Sequence, residues 1–182
     1  MKILIVSDSH GTNGPLRTAI MRESPDMLIH LGDAEYSVQE IAKWAGSPKT
    51  PCIFVKGNCD TYSHDTSLLK NSAVFTLNGH KIFCTHGHLQ RVNYGLLTLS
   101  LTAQEQGCDI CMFGHTHVPY NSFGDAVSDF DRFYDSGYGS MSGPRILNPG
   151  SISLPRGGSK RSCMIMEMED DGRYDVIFRT VD

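Results

Sequence analysis

Short apolar runs recur along the chain, and each runs out into a polar loop. KILIV (2–6) leads into SDSHG, MLIHL (27–31) into GD, CIFVK (52–56) into GNCD, and CDICMF (108–113) into GHTH. Near-continuous apolar runs of this length predict strands buried on both faces. Two helices separate the first three runs. One begins near Asn13, with Pro15 early, where its missing N–H is harmless. The other begins at Ser37, with Glu40 three residues on in a capping-box spacing. Strand–helix–strand alternation predicts parallel βαβ units.

The pattern then changes. AVFTL-NG-HKIFCT (73–85) predicts a hairpin with a type I′ turn at Asn78-Gly79. A third helix is predicted over about 94–106, capped by Asn93 and ended by Gly107. SCMIMEMED-DG-RYDVIFRTV predicts a second hairpin around Asp171-Gly172, with Met164, Met166 and Met168 on one packed face. The expected result is mixed sheets, parallel in the first half of the chain and antiparallel in the second. Residues 121–143, with four Asp, one Arg, five aromatics and many Gly and Ser, lack either period and read as a loop insertion. A flap beside a functional site and an idle solvated loop are both open for it.

Composition narrows the class. At 182 residues, with 40% hydrophobic and 20% charged residues, the chain fits one soluble domain. A net charge of −4 gives no basic surface for nucleic acid. No apolar run approaches the ~20 residues of a membrane span. The opening MKILIVSDSHG reads as a buried strand, not a signal peptide, which makes the expected location cytoplasmic. The six cysteines then read as free thiols, and the one C-x-x-C, Cys108 and Cys111, as part of a buried strand. Self-association stays open.

The residues just beyond each apolar run carry the chemistry. Asp8 and His10 come after the first, Asp33 after the second, Asn58 and Asp60 after the third, His86 and His88 after the hairpin, His115 and His117 after the CDICMF run. In an α/β sheet, ligands bind beyond the carboxyl ends of the strands. One such His is more often structural, but five loops presenting ligand-type groups at one edge point to a site. Asp8-x-His10 and His115-x-His117 share an i, i+2 spacing, which in an extended segment turns both side chains to one side. Oxygen and nitrogen donors suit manganese, iron, zinc, cobalt or nickel. Seven ligands exceed one tetrahedral ion and suit two metals sharing a carboxylate.

In order, D-x-H, GD, GN-x-D, H and GH-x-H resemble the calcineurin-like metallophosphoesterase pattern, over nearly the whole chain to NPGS and PRGG (148–151, 155–158). The GNCD variant is most similar to the small phosphodiesterases of that family. The resemblance implies an α/β fold, a four-layer α-β-β-α sandwich of two mixed sheets. It implies that Asp8, His10 and His117 hold one divalent ion, that Asn58, His86 and His115 hold the other, and that Asp33 bridges them. Manganese is the first expectation for both ions.

The implied activity is hydrolysis of a small phosphodiester by a metal-bound hydroxide. Two divalent cations against Asp8, Asp33 and a hydroxide leave about +1, which suits the single negative charge of a diester. The family often has a His where Cys59 stands, and that His protonates the leaving oxygen. A thiol donates hydrogen bonds poorly, so Cys59 is a weak candidate. His88 is another, with support of the neighbouring ligands or plain surface exposure as its alternative. Arg156, with Lys160 and Arg161 nearby, is a candidate for meeting an anionic substrate, or a solvated basic edge. His30 reads as core. A phosphomonoesterase of the same chemistry and a non-catalytic scaffold of the same fold are the competing functions.

Overall fold

The first strand shows how the layers are built. After Lys2, every residue of β1 (Lys2–Val6) is buried, and its side chains divide by parity. Ile3 and Ile5 join one core cluster, Leu4 and Val6 another. A strand sends successive side chains to opposite faces, so β1 has a packed layer on each side.

The computed structural model describes residues 1–60, 69–122 and 143–181. After β1 come α1 (Asn13–Glu23), β2 (Met27–His30), α2 (Val38–Trp44), β3 (Cys52–Phe54), β4 (Ser72–Leu77) and β5 (His80–Thr85). A 3-10 turn (Val92–Tyr94) precedes α3 (Leu97–Glu105), then β6 (Ile110–Met112), β7 (Pro119–Ser122), β8 (Arg145–Pro149), β9 (Ser162–Met168) and β10 (Tyr174–Thr180). They form two five-stranded sheets, β10-β9-β1-β2-β3 and β4-β5-β6-β8-β7. Ile3, Ile5, Ile29 and Met164, Met166 and Met168 of the first sheet meet Ile82, Ile110, Met112 and Leu147 of the second. Leu16, Ala19 and Ile20 of α1 and Ile41 of α2 cover the first sheet's outer face. Leu99 and Ala103 of α3 cover the second's, against Phe83, Cys111 and Phe113. Three clusters between four layers make the α-β-β-α sandwich.

Both sheets are mixed, but the division is not by halves of the chain. β1, β2 and β3 are parallel as expected. In the second half β5, β6 and β8 are parallel too, flanked by antiparallel β4 and β7. Ser37 caps α2, its hydroxyl accepting from Glu40 N–H at 3.4 Å, while the Glu40 carboxylate turns to Lys43. At the predicted I′ turn Asn78 has φ 45° and Gly79 φ 89°.

Two boundaries move. The third helix starts at Leu97 and Asn93 does not cap it, because Gly95 at φ 134° breaks the chain between the 3-10 turn and α3. Asn121 and Ser122 are strand, opposite Leu147 and Ile146 of β8, not loop. The rest of the expected insertion, 123–142, lies outside the described residues. Far from the strand ends that carry the ligands, His80 ties the two hairpins together. Its Nδ1 bonds to the Asp109 carboxylate and its Nε2 to Gly172 O at 2.8 Å, while Asn78 Nδ2 donates to Glu169 O at 2.8 Å.

Candidate metal centre

Parallel pairing within each sheet sends the carboxyl ends of β1, β2 and β3, and of β5 and β6, to one end of the sandwich. There the loops converge. His10 and His117 place their Nε2 atoms 3.3 Å apart. Asp8 Oδ1 stands 3.2 Å from His117 Nε2, 3.9 Å from His86 Nε2 and 4.0 Å from His10 Nε2. Asp33 Oδ2 is 3.2 Å from His86 Nε2 and 4.0 Å from His10 Nε2. Asn58 Oδ1 is 3.2 Å from His86 Nε2. The donor atoms of Asp8, His10 and His117 lie within 4.8 Å of one another, as do those of Asp8, Asp33 and His86. Asp8 therefore stands between the two histidine groups, as Asp33 does.

The backbone reaches this arrangement by a route other than the extended segments expected from the i, i+2 spacing. Asp8 (φ 56°), His10 (φ 45°), Asp33 (φ 53°), His115 (φ 66°) and His117 (φ 61°) all adopt left-handed conformations. Asp and His are among the residues that tolerate this region, yet each such residue is strained relative to ordinary backbone. Neighbours hold the strain in place. The hydroxyls of Ser151 and Ser153 donate to Asp8 O at 2.8 and 2.7 Å. Asp60, fully buried, accepts from the N–H groups of Asp33 (2.8 Å), Gly57 (2.8 Å) and Glu35 (2.9 Å), binding the second ligand loop to the third. A Cβ at Gly57 would stand 2.0 Å from Asp33 Oδ1, and one at Gly114 would stand 2.0 Å from Ser7 Oγ. Only glycine lets these loops approach so closely.

The donor set fits a cation. His86 Nδ1–H donates to Leu31 O at 2.7 Å and His117 Nδ1–H to Leu154 O at 2.5 Å, so in the neutral rings both Nε2 atoms carry lone pairs. Those lone pairs face carboxylate and amide oxygens, which are themselves acceptors. Asp8 Oδ1 is buried and receives no hydrogen bond. A buried anionic oxygen in that position is stable only beside a positive charge, here a proton on imidazole or a metal ion. Burial opposes the imidazolium form, but the facing Asp33 carboxylate raises His86 above its ordinary value and the facing Asp8 carboxylate raises His117. Burial likewise opposes the carboxylates. His86 and the Cys59 N–H outweigh it at Asp33 and hold that carboxyl well below its usual value, and the facing His117 and His86 hold Asp8 below its own.

The other candidates occupy distinct places. His115 is nearer the rim: its Nε2 accepts from Asn93 Nδ2 at 3.0 Å, and its ring centroid lies 5.1 Å from that of His86. His88 is half-buried, with its ring centroid 5.4 Å from that of His86, and burial and His86 hold it below its ordinary value. Its Nδ1 is buried without a partner. Cys59 donates its N–H to Asp33 Oδ1 at 2.8 Å, and burial with the Asp33 and Glu35 carboxylates pushes its thiol up to about 12. Arg156 donates its N–H to His117 O at 3.2 Å, and its charge opposes protonation of His117. His30 is core, as expected, but also links loops, with Nε2 3.0 Å from Ser9 Oγ and Nδ1 accepting from Gly32 N–H at 3.3 Å. All six cysteines are free.

Sequence reasoning missed Glu35, whose carboxylate lies 3.6 Å from His10 Nδ1, and Asn93. It also assigned no task to Asn148 of the NPGS segment, whose side-chain amide donates to Gly114 O at 2.9 Å and fixes the loop that carries His115.

The chain matches the model of the calcineurin-like phosphoesterase superfamily domain over residues 1–171. It is 34% identical over 173 residues to the probable metallophosphoesterase YsnB of Bacillus subtilis (strain 168), covering 94% of this chain and 86% of that protein. Phosphodiesterase YfcE of Escherichia coli (strain K12) is 26% identical over 181 residues, covering 89% of this chain and 85% of its own length. The solved structure of a predicted phosphoesterase from Streptococcus pneumoniae TIGR4 superposes with a TM-score of 0.73 at 30% identity, over 98% of this chain and 88% of that one. The four-layer fold, the convergence of carboxylates and imidazoles at one sheet end and these likenesses agree: the chain belongs to the calcineurin-like phosphoesterases, a family of metal-dependent hydrolases.

Proposed function

We propose that this chain hydrolyses small phosphodiesters using two divalent ions, manganese before zinc, iron, nickel or cobalt. The observation that carries the reading is Asp8 Oδ1, buried, unbonded and set between His117 and His86. His10 and His117 with Asp8 would hold one ion; His86, Asn58 and His115 would hold the other, with Asp33 between them. When bound, two such ions polarise the attacking water and the phosphate oxygens. The chain supplies the rest. His86 and His117 are fixed in ring orientation by backbone carbonyls. Asn58 adds an oxygen without charge, so two carboxylates face two dications and the site stays positive for an anionic substrate. Arg156, beside His117, would extend that attraction to the rim.

Burial and the Asp33 and Glu35 carboxylates push the Cys59 thiol far above the near-neutral value that suits a general acid, which favours substrates whose leaving oxygen departs easily. We read residues 1–182 as one domain. The free cysteines favour the cytoplasm, and among the described residues no helix is long and apolar enough to cross a membrane.

The test is a panel of diesters and monoesters assayed with added Mn²⁺, on wild type and Asp33→Ala. Diester turnover that Asp33→Ala abolishes, together with metal content, supports the reading. Faster monoester turnover would reassign the substrate class. Stoichiometric metal without turnover of any ester would leave a scaffold.

A further inference from the structure

Strand β10 takes no part in the metal centre, and among the described residues its outer edge is unpaired. It lies at the end of its sheet, in continuous register with β9 from Tyr174 to Thr180. Glu169 N–H donates to Arg173 O and Val181 N–H to Arg161 O, so odd-numbered residues turn their peptide groups toward β9. Tyr174, Val176, Phe178 and Thr180 therefore turn theirs outward. Among the described residues that edge meets a side-chain donor at Thr180 O, from Arg22 Nη1 at 3.2 Å. Proteins blunt such edges with Pro, Lys or a bulge, and YDVIFRT has none of these.

The side chains along β10 are left incomplete in a symmetric way. On one face Val176 packs against the rim of the inter-sheet core, while Phe178, two residues on along the same face, is 39% exposed. On the other face stand Asp175, Ile177 and Arg179. Asp175 is directly opposite Glu167, a like charge. Lys2, on the far side of Glu167, is engaged by Glu23 through its carbonyl at 2.9 Å and its carboxylate at 3.9 Å. Arg179 is opposite the buried Cys163, and neither Asp175 nor Arg179 has an ion-pair partner among the described residues.

We propose that two copies of this chain pair antiparallel through β10 about a two-fold axis at Ile177, with Asp175 of each copy facing the partner's Arg179. In that register Val176 and Phe178 exchange backbone hydrogen bonds with the partner's Phe178 and the partner's Val176. Their half-exposed side chains cover one another. Asp175 and the partner's Arg179 form a non-hydrogen-bonded pair, where Cβ atoms approach to about 4.5–5.5 Å. A slip of two residues one way sets Arg173 against the partner's Arg179. The opposite slip sets Asp175 against the partner's Val181. The central register alone satisfies the charges. The two sheets then become one continuous sheet, with the metal centres at opposite ends.

Sedimentation equilibrium of the full chain across the micromolar range tests this. Wild type is expected at twice the chain mass. Arg179→Asp and Asp175→Arg should each weaken association at least about tenfold, since like charges then face across the strand pair. The double variant Asp175→Arg/Arg179→Asp should restore it. Phe178→Lys, a cation on the edge, should also give monomer. Circular dichroism and Mn²⁺ binding, unchanged in all four, show that the fold is kept. A wild type monomeric throughout, a dimer indifferent to Arg179→Asp, or a double variant that stays monomeric would each overturn the proposal.

Discussion

Asp33 Oδ2 faces His86 Nε2 at 3.2 Å, and the other nitrogen of that ring is committed to Leu31 O. A single position therefore takes either a proton or a metal ion. Burial opposes the charged ring, but the Asp33 and Asp8 carboxylates raise His86, and Asp8 raises His117, above the ordinary 6.5. A raised value means that both rings are protonated below it, so metal binding has to expel protons. Apparent Mn²⁺ affinity should fall as pH drops through and below neutrality, by up to about tenfold per pH unit for each proton displaced. Calorimetric titration in buffers of different ionisation enthalpy reads the proton count directly. An affinity independent of pH from 6 to 8 would exclude this competition.

Asp60 touches none of the proposed ions, yet it should matter for both. Removing its carboxylate strips an acceptor from three backbone N–H groups, and each buried donor left unpaired costs about 1–3 kcal/mol. Asp60→Ala should lower the melting temperature and weaken metal binding by about 10–100-fold. Asp60→Asn, which keeps one oxygen acceptor, should fall between. Thermal melts with and without Mn²⁺ distinguish this from a uniform loss of stability.

In the proposed hydrolysis, with Cys59 a poor general acid, the leaving oxygen would depart nearly as an anion. The rate should then depend steeply on leaving-group acidity. Cys59→His should help alkyl diesters more than aryl ones, within the roughly 10²–10⁴-fold range of general acid catalysis. Cys59→Ala should change little with either. Plots of log rate against leaving-group pKa for the three proteins check this. A shallow wild-type slope would point instead to a competent acid elsewhere, and His88 would be the next residue to replace.

Away from the site, His80 makes stability depend on pH. Burial opposes its charge, but Asp109 and the Gly172 carbonyl prevail and raise it above 6.5. The stability it contributes is complete below that unfolded value and is lost as pH rises through the higher folded one. His80 is partly exposed, so the effect is small. Wild type should lose about 1–4 °C of melting temperature between pH 6.5 and 9 that His80→Gln does not lose. Parallel melting curves for the two proteins would remove His80 as the cause.

Much of this was legible because each layer writes its own period. KILIV and MLIHL are near-continuous apolar runs because both faces of β1 and β2 are covered. Nine ligand-type residues stood out because each came just after a predicted strand. What stayed hidden depends on partners distant in sequence. Asn93 looked like a helix cap by spacing, but Gly95 breaks the helix and frees its amide for His115. Asn121 and Ser122 carry no strand period, and only pairing with β8 makes them strand. The parallel order of β5, β6 and β8 follows from how crossovers pack, which hydropathy does not record. The left-handed backbone at the ligands was invisible for the same reason, since the serine hydroxyls that hold Asp8 come from residues 151 and 153.

That backbone has an evolutionary consequence. Five of the proposed ligand positions sit in a conformation most residues avoid, a cost in folding stability set against the geometry of the proposed centre. A descendant released from catalysis would drift first at these positions. Replacement of His115 by glycine or asparagine, or loss of the serines around Asp8, would let the loops relax. The sandwich beneath, built on its own three cores, would persist and grow more robust. Decay of the chemistry and survival of the fold are thus favoured together.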